Sequence, residues 1–474
     1  MSIAKRVFCN ADQVSFASAS GDSNPIHVDP VEARRTQAGS QVVHGIHLLL
    51  WALDVFAESH PGLPPLQSIR AEFNKFVYID EPVEVLLKQQ NPASARLIIA
   101  VDGTPRAKVS IGFGEPSEEC PAWASRPLDA ITDPRAPIDR TLDQMDGISG
   151  RLAFPTSPEH ASTLFQAAAH WLGPRRISAL MASTCLVGMV SPGLHSIYSG
   201  LSVRLCAGPA PQEDSLAFRV TGTDPRFRSV IQEIAGGGLT GTIESFVRTP
   251  PVQQPIMESL EGLVNPSEFA GSVALVVGGS RGLGELTAKL IATGGGRVVI
   301  TWNTGGNDAE RVAREIRAAG YACEILRYDA RKPAAEQLAS LPDAPTHAYY
   351  FATPPIARPQ SEVFSEERLQ QFLAVYVEGF WQMVQALRAR QPSLSVFYPS
   401  SVFVTDRPKG MTEYSMAKAA GELLCADINA SLSPLRVTVK RLPRLPTDQT
   451  SSITVVETAD PLETLLPIIR EVQL

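Results

Sequence analysis

One stretch constrains the fold of this chain more than any other: a short apolar run that breaks into spaced glycines and resumes with the apolar period of a helix. The run is Val273–Val277, the glycines are Gly278, Gly282 and Gly284, and the helical pattern continues to Ala292. Strand, tight turn and helix in this order open a nucleotide-binding βαβ unit, because glycines let backbone N–H groups approach a pyrophosphate. Taken alone, the stretch leaves two interpretations open, a nucleotide cradle and an ordinary glycine-rich loop.

A second group of residues lies far downstream. Ser401 closes an apolar run, Tyr414 follows thirteen positions later, and Lys418 follows Tyr414 by four. On a helix, the Tyr–Lys spacing puts phenol and ammonium on one face, where the cation is expected to lower the pKa of the phenol. An exposed Tyr–Lys pair is the alternative. Together with the G-x-x-x-G-x-G turn, this order of residues resembles the short-chain dehydrogenase/reductase (SDR) family.

The resemblance implies a role for each residue. Ser401 would hold a substrate carbonyl, Tyr414 would transfer a proton, and Lys418 would hold the nicotinamide ribose and tune Tyr414. Asp329, after a predicted strand, would contact the adenine. The remaining cofactor-binding residues implied by the family are Gly278, Ser280, Arg281, Gly282, Leu283 and Gly284.

The choice of cofactor depends on the end of the second strand of the unit. An acidic side chain there would bind the ribose 2′-OH of NAD, but Thr301-Trp302-Asn303 contains none. Arg281 precedes Gly282, where NADP-dependent members of the family often have a basic residue. NADPH/NADP+ is therefore favoured over NAD.

Two departures from the SDR pattern leave the proton relay in question. Ala352-Thr353-Pro354-Pro355 stands where the family has an N-N-A-G-type turn, and Tyr376 replaces the family's helix asparagine. These changes concern the rate of reduction rather than the cofactor fold.

The first part of the chain carries a different motif. The string D-x-N-P-I-H occupies Asp22–His27, and V-V-H-G at Val42–Gly45 begins a long apolar helix. An Asx turn with His27 in the first helical turn is the simplest interpretation. The ordering nevertheless resembles MaoC-like hot-dog domains, the family of (R)-specific enoyl-CoA hydratases and dehydratases. The resemblance implies that Asp22 and His27 hold the reacting water and that the Gly45 N–H stabilises the thioester oxygen.

The other histidines of this part are interpreted as bystanders. His44 and His47 are expected to be helix-start or surface residues, and His195 is expected to be structural. From about Leu142 to Arg248 the helix-then-strands pattern repeats without D-x-N-P-x-H, so this region resembles a second hot-dog half. The resemblance implies that this half is a noncatalytic partner that completes the barrel pair and shapes the acyl tunnel.

The predicted fold class is an α+β double hot-dog region followed by an α/β Rossmann-type, doubly wound parallel sheet. The predicted domains are a catalytic hot-dog domain at 1–115, a Pro-rich linker at 116–140, the second half at 141–249, a linker at 250–269 and an SDR-type domain at 270–474.

Composition excludes several function classes. The net charge of −7 argues against nucleic acid or an anionic membrane as the main partner. No apolar run approaches the roughly 18 residues of a membrane span, and Met1–Asn10 has no signal-peptide core, so a cytoplasmic location is expected. The six cysteines are scattered without C-x-x-C, which predicts reduced thiols and no metal site.

The two families that this chain resembles act on neighbouring carbons of one kind of molecule, an acyl thioester. The two resemblances predict a bifunctional enzyme that reduces 3-ketoacyl thioesters and interconverts (R)-3-hydroxyacyl and trans-2-enoyl thioesters, on acyl-CoA or acyl carrier protein, as a homodimer. Two alternatives stay open: a hydratase with a degenerate nucleotide-binding domain, and a non-enzymatic scaffold for acyl carrier protein.

Overall fold

The computed structural model describes residues 1–116, 119–132, 134–207, 214–356, 363–450 and 456–474. Residues 117, 118 and 133 of the predicted 116–140 linker lie outside this part. Two compact units divide the chain, one formed by Met1–Pro250 and one that begins at Pro251. Among the described residues, no helix is both long and apolar enough to cross a bilayer.

The first unit is built on one sheet of eleven strands. Along the sheet their order is β1-β3-β4-β5-β2-β8-β11-β10-β9-β7-β6, and every pairing is antiparallel except that of β6 with β7. The strands are β1 Ser2–Val7, β2 Leu66–Phe73, β3 Pro82–Asn91, β4 Ser94–Val101, β5 Thr104–Phe113, β6 Ala130–Ile131, β7 Ser149–Ala153, β8 Ser196–Leu205, β9 Ser215–Asp224, β10 Ser229–Gly236 and β11 Leu239–Val247.

The strand order repeats within this sheet. The first five strands run β1-β3-β4-β5-β2, and β7 to β11 run in the same relative order as β7-β9-β10-β11-β8. The two halves join where β2 pairs with β8, with Ile69 opposite Val203. The second half therefore has the strand order of the first.

Each half places a long helix between its first two strands. The helices are α1 Asn10–Ser20, α2 Pro25–Val28, α3 Pro30–Ala33, α4 Gly45–Ser59, α5 Pro158–Leu164, α6 Gln166–Leu172 and α7 Pro174–Cys185. The central helix α4 buries apolar residues on all sides, and α7 continues into a π-helical turn, Leu186–Val190. Both helices contribute to one apolar core that the sheet encloses.

The second unit has a six-stranded sheet in which all strands are parallel. Its order is β14-β13-β12-β15-β16-β17, which in chain order is 3-2-1-4-5-6, the order of a Rossmann fold. The predicted Rossmann-type parallel sheet is therefore confirmed. The strands are β12 Val273–Val277, β13 Arg297–Trp302, β14 Cys323–Arg327, β15 His347–Tyr350, β16 Ser395–Ser401 and β17 Arg436–Leu442.

Helices cover both faces of this sheet. Alternate residues of its strands accordingly belong to two separate apolar cores. Val276 and Ile300 pack with α9 and α10, whereas Leu275 and Val299 pack with α11 and α13. The helices are α8 Met257–Leu260, α9 Gly282–Thr293, α10 Gly306–Ala318, α11 Ala334–Leu338, α12 Glu366–Leu373, α13 Phe380–Arg388, α14 Phe403–Asp406, α15 Thr412–Ser431 and α16 Pro461–Val472. A π-helical turn, Ala374–Gly379, links α12 to α13.

Candidate functional site

The D-x-N-P-I-H string forms a tight turn between α1 and α2. Gly21 ends α1 with a φ of 72°, a conformation that favours glycine. The backbone N–H of Asn24 donates to Oδ1 of Asp22 at 3.2 Å, and Oδ1 of Asn24 accepts from the N–H of Ile26 at 3.2 Å. Pro25 then occupies the first helical position of α2. The loop that carries the predicted carboxylate and imidazole is thus fixed by its own local hydrogen bonds.

Asp22 is 1% exposed, and helical residues of the second half of this unit contact its carboxylate. Oγ1 of Thr184, on α7, donates to Oδ2 at 2.6 Å. At Gly188, in the π-helical turn, a Cβ atom would lie 2.1 Å from Oδ1. Burial raises the pKa of Asp22, against the lowering effect of His27 and of the bonds from Thr184 and Asn24. The half predicted to be noncatalytic therefore contacts the carboxylate directly.

His27 is held through one of its two ring nitrogens. Its Nδ1 lies 2.8 Å from the carbonyl oxygen of Val42. A neutral imidazole must therefore donate from Nδ1, which leaves a lone pair on Nε2. Burial lowers the pKa of His27, although Asp22 raises it in part. The neutral form with a basic Nε2 is thus favoured at neutral pH.

His44 lies against this pair. Its ring stacks on His27 with centroids 3.8 Å apart, and its Nε2 lies 3.9 Å from Oδ2 of Asp22. Nδ1 faces Oε1 of Gln13 at 2.9 Å and Nε2 faces the backbone oxygen of Asp22 at 3.0 Å. Burial holds the pKa of His44 well below its ordinary value. The alternative of a surface residue is wrong for His44 and for the equally buried His47, whose pKa burial lowers to about 3.

The donor atoms of Asp22, His27 and His44 lie within 4.8 Å of one another. Such a set could hold a cation, but both ring nitrogens of His44 already face protein oxygens. The arrangement is better suited to acid–base chemistry, since a buried carboxyl and a neutral imidazole can exchange protons with one small molecule between them.

Gly45 is the first residue of α4, so its N–H belongs to the helix-terminal donors that have no intrahelical acceptor. A Cβ atom here would lie 3.2 Å from the ring of Phe73. Gly45 directly follows His44 and stands next to the Asp22–His27 pair in the fold. The three predicted residues of the first unit are thus near one another.

In the second unit, the glycine turn joins β12 to α9. A Cβ atom at Gly279 would lie 2.8 Å from Ile300, and one at Gly284 would lie 2.3 Å from the backbone oxygen of Gly278. Gly282 has a φ of 59° and open space beside it. The turn is closed towards the protein and open at the start of a twelve-residue helix, a cradle that suits a pyrophosphate. Ser280 is buried in this turn, and Leu283 packs against the core.

Two predicted cofactor contacts are engaged with protein groups. Nη1 of Arg281 lies 2.9 Å from Oδ2 of Asp448. Asp329 accepts two bonds from the guanidinium of Arg331, at 3.0 and 3.1 Å. Asp448 was not predicted, because it lies more than 160 positions from Arg281 and has no motif around it.

Ser401, at the end of β16, and Tyr414 and Lys418, both on α15, come together. Burial raises the pKa of Tyr414, and a hydrogen bond with Ser401 offsets part of this. Nζ of Lys418 donates to the backbone oxygen of Pro399 at 2.7 Å, and burial lowers the pKa of Lys418 to about 7. The expected lowering of the Tyr414 pKa by Lys418 is therefore wrong for this structure, because burial dominates and the amine is only partly charged at neutral pH.

Tyr376 occupies the π-helical turn where the SDR family has an asparagine. Its ring covers the amine of Lys418, with Nζ 3.9 Å from the ring centroid. Its hydroxyl lies 2.5 Å from Oγ1 of Thr353, a residue of the turn that differs from the family's N-N-A-G type. The two segments that differ from the SDR pattern thus contact each other, and the aromatic ring of Tyr376 stands beside Lys418 where the family has an amide.

Two family profiles match the chain. Residues 2–109 match the MaoC like domain, and residues 272–432 match the KR domain. The chain is a fusion of a MaoC-like domain with an SDR-type ketoreductase domain. Both families suggested by the sequence motifs are confirmed, one in each structural unit.

Individual relatives match smaller parts of this fusion. A 51-residue segment is 49% identical to the NADPH-dependent aldehyde reductase-like protein, chloroplastic, of Arabidopsis thaliana, and spans 11% of this chain and 19% of that relative. A short-chain dehydrogenase from Burkholderia cenocepacia J2315 in complex with NADP is 21% identical with a TM-score of 0.39, over 43% of this chain and 91% of its own. A 3-oxoacyl (acyl-carrier-protein) reductase from Agrobacterium tumefaciens C58 with NADP bound is 21% identical with a TM-score of 0.36, over 40% of this chain and 77% of its own.

Proposed function

We propose that the fusion is a bifunctional enzyme of acyl-thioester metabolism. The ketoreductase domain reduces a 3-ketoacyl thioester to the (R)-3-hydroxyacyl thioester with NADPH, and the MaoC-like domain interconverts this product and the trans-2-enoyl thioester. The observation that carries the proposal is that one chain contains both an Asp22–His27 pair with a buried carboxylate and a Ser401–Tyr414–Lys418 group. The product of one site is the substrate of the other.

At the MaoC-like site, Asp22 and His27 hold the water that is added or removed. One group accepts a proton while the other delivers one, and the two are suited to divide these roles. Neutral His27 that donates from Nδ1 has a lone pair on Nε2, and burial raises the pKa of Asp22. The Gly45 N–H donates to the thioester oxygen, on which negative charge develops when the α-carbon gains or loses its proton.

At the ketoreductase site, Ser401 and Tyr414 hold the ketone oxygen, and Tyr414 donates the proton that this oxygen requires. NADPH, when bound in the glycine turn, supplies the hydride. The cradle at Gly278–Gly284 fits the pyrophosphate, as Gly282, at the start of α9, has open space beside it. Arg281 would bind the 2′-phosphate once it is released from Asp448, and Asp329 would contact the adenine. Lys418 orients the ribose.

We interpret the repeated strand order of the first unit as a double hot-dog fold, with domains at 1–115 and 141–249 and the SDR-type domain at 270–474. The second half lacks the D-x-N-P-x-H residues but completes the site through Thr184 and Gly188. The acyl group arrives on coenzyme A or on an acyl carrier protein.

Two variants test both activities in one preparation. Tyr414→Phe should abolish NADPH oxidation with acetoacetyl-CoA and leave crotonyl-CoA hydration unchanged. Asp22→Asn should do the reverse, so each variant is the folding control for the other. Wild-type protein that neither oxidises NADPH with 3-ketoacyl thioesters of any length nor hydrates crotonyl-CoA would refute the proposal.

Two specific observations favour a second candidate, a hydratase with a nucleotide-binding but inactive reductase domain. The ring of Tyr376 covers the amine of Lys418, and Asp448 forms an ion pair with Arg281. Hydration of crotonyl-CoA that depends on Asp22, without NADPH oxidation for any 3-ketoacyl thioester, would support this candidate over the bifunctional enzyme.

A further inference from the structure

A buried guanidinium lies near the Asp22–His27 pair and has no part in the proposed reaction. Arg248, directly after β11, is 3% exposed. Its Nη2 donates to the carbonyl oxygen of Leu194 at 2.8 Å, whereas Nε and Nη1 have no hydrogen-bond partner among the described residues. A buried cation with unused donors is costly to fold, so these donors are available to a ligand.

A second incompletely bonded side chain lies beside it. The backbone N–H of Arg248 donates to the carbonyl oxygen of His195 at 2.7 Å, so the two residues are neighbours on adjacent segments. His195 is 5% exposed, and its Nδ1 also lacks a partner in the described part of the chain. Its Nε2 lies 3.3 Å from Oδ1 of Asp139. Two buried polar groups with unused nitrogens thus lie side by side.

The positive charge of Arg248 is poorly compensated. The carboxylates that act on it are Glu32 and Asp139. Their side chains are 41% and 68% exposed, and Glu32 forms an ion pair with Arg35 at 3.0 Å. Neither bonds to Nε or Nη1 of the guanidinium. An anion that reached Arg248 would therefore meet a desolvated cation with free donors.

This cation lies close to the reacting groups. The carbonyl oxygen of Leu194 accepts both from Arg248 and from Nδ2 of Asn24, at 3.3 Å. Asn24 in turn donates to Asp22. The charge of Arg248 also acts on His27. A single shared oxygen separates the guanidinium from the D-x-N-P-I-H loop.

We propose that Arg248, assisted by His195, binds a carboxylate carried by the acyl chain of the thioester, a few bonds from the reacting carbons. The inference rests on the proposed hydratase function. A carboxylate on the acyl chain is favoured over the phosphates of coenzyme A or of a carrier protein's prosthetic group, because Arg248 lies beside the loop of Asp22 and His27 and the long pantetheine arm separates those phosphates from the thioester. A carboxylate can use Nε or Nη1 of the guanidinium, and its charge would favour the doubly protonated His195, in which both ring nitrogens donate.

Binding of saturated analogues tests the proposal without any turnover. Calorimetry would compare glutaryl-CoA, which carries a terminal carboxylate, with butyryl-CoA, which does not. Wild-type protein should bind glutaryl-CoA more tightly by roughly tenfold or more. Arg248→Met should remove this preference, and Arg248→Lys should retain part of it because it keeps the charge.

Arg228→Met is the matched control. Arg228 lies beside Arg248, but its Nε donates to the carbonyl oxygen of Val247 at 2.7 Å and its Nη2 faces the carbonyl oxygen of Arg248. The preference for glutaryl-CoA should survive this change. Equal loss of preference in both variants would mean that general positive charge, not Arg248, selects the ligand, and would overturn the proposal.

Two further outcomes would also overturn it: equal affinity of the wild type for the two thioesters, and equal weakening of both by Arg248→Met, which would assign Arg248 to the coenzyme. If Arg248→Met does not fold, the wild-type preference and Arg248→Lys decide. Hydration of crotonyl-CoA and of glutaconyl-CoA, the 2-enoyl thioester with a terminal carboxylate, separates the two hypotheses. Turnover without a carboxylate preference refutes only this inference, whereas absence of turnover with both substrates refutes the hydratase function and leaves the binding result interpretable.

Discussion

Replacing Thr184 by valine should shift the pH dependence of hydration. The limb of the pH profile that reflects the ionisation of Asp22 should move to higher pH. The hydroxyl of Thr184 donates to Oδ2 of Asp22 at 2.6 Å, within the range of a charge-assisted O–H···O⁻ bond. Because this bond favours the carboxylate, its loss favours the protonated acid. The direction is the same whether Asp22 acts as base or as acid in the chemical step.

The size of the effect follows from the burial of both groups. Thr184 is 3% exposed and Asp22 is 1% exposed, so solvent does not screen the bond. A hydrogen bond to a charged group contributes about 1.5–3 kcal/mol, and about 1.4 kcal/mol corresponds to one pH unit. The limb should therefore move by about one to two pH units.

The assay is the initial rate of crotonyl-CoA hydration as a function of pH. Thr184→Ser, which keeps a hydroxyl, should have nearly the same pH profile as the wild type. Ser183→Ala is the matched control, because Ser183 is buried on the same helix but bonds to Leu180 and Tyr198 instead. If this limb of the pH profile does not move in Thr184→Val, or moves equally in Ser183→Ala, then the Thr184 hydroxyl does not stabilise the ionised carboxylate and the reasoning is refuted.

Three further changes have defined outcomes. Gly188→Ala should lower kcat/KM for hydration by roughly a hundredfold, since its Cβ would lie 2.1 Å from the carboxylate of Asp22; unchanged hydration would contradict the contact. Asp448→Asn should tighten NADPH binding by roughly two- to fivefold, and NADH binding less, because it releases Arg281 from a partly exposed ion pair; titration of both cofactors checks this. Burial lowers the pKa of Lys418 to about 7 in the folded protein, whereas the ordinary pKa of lysine is about 10.4. Between these two pH values the unfolded chain binds more protons at Lys418 than the folded chain does, so folding stability rises with pH. Any stability advantage of Lys418→Met in denaturant unfolding should therefore shrink from pH 7 to pH 9, by up to about 1.4 kcal/mol per pH unit, and a constant advantage would contradict the lowered pKa.

The sequence by itself determined the parts of both sites whose geometry is local. The D-x-N-P-I-H loop is fixed by hydrogen bonds between residues two positions apart, so Asp22 and His27 could be predicted as neighbours. The glycine turn is equally local, since the close approach of Gly284 to Gly278 occurs within one strand–turn–helix unit. Tyr414 and Lys418 share a helix face because of their spacing alone.

Only the tertiary structure decided what surrounds these groups. Thr184 lies 162 positions from Asp22, in an apolar helical segment without a motif, and the two meet because the second half packs against the first. Arg248 reaches the same loop through the carbonyl oxygen of Leu194. The proton affinities of Tyr414 and Lys418 were likewise beyond the sequence, because burial, which sets both, is a property of the packed fold and not of residue spacing.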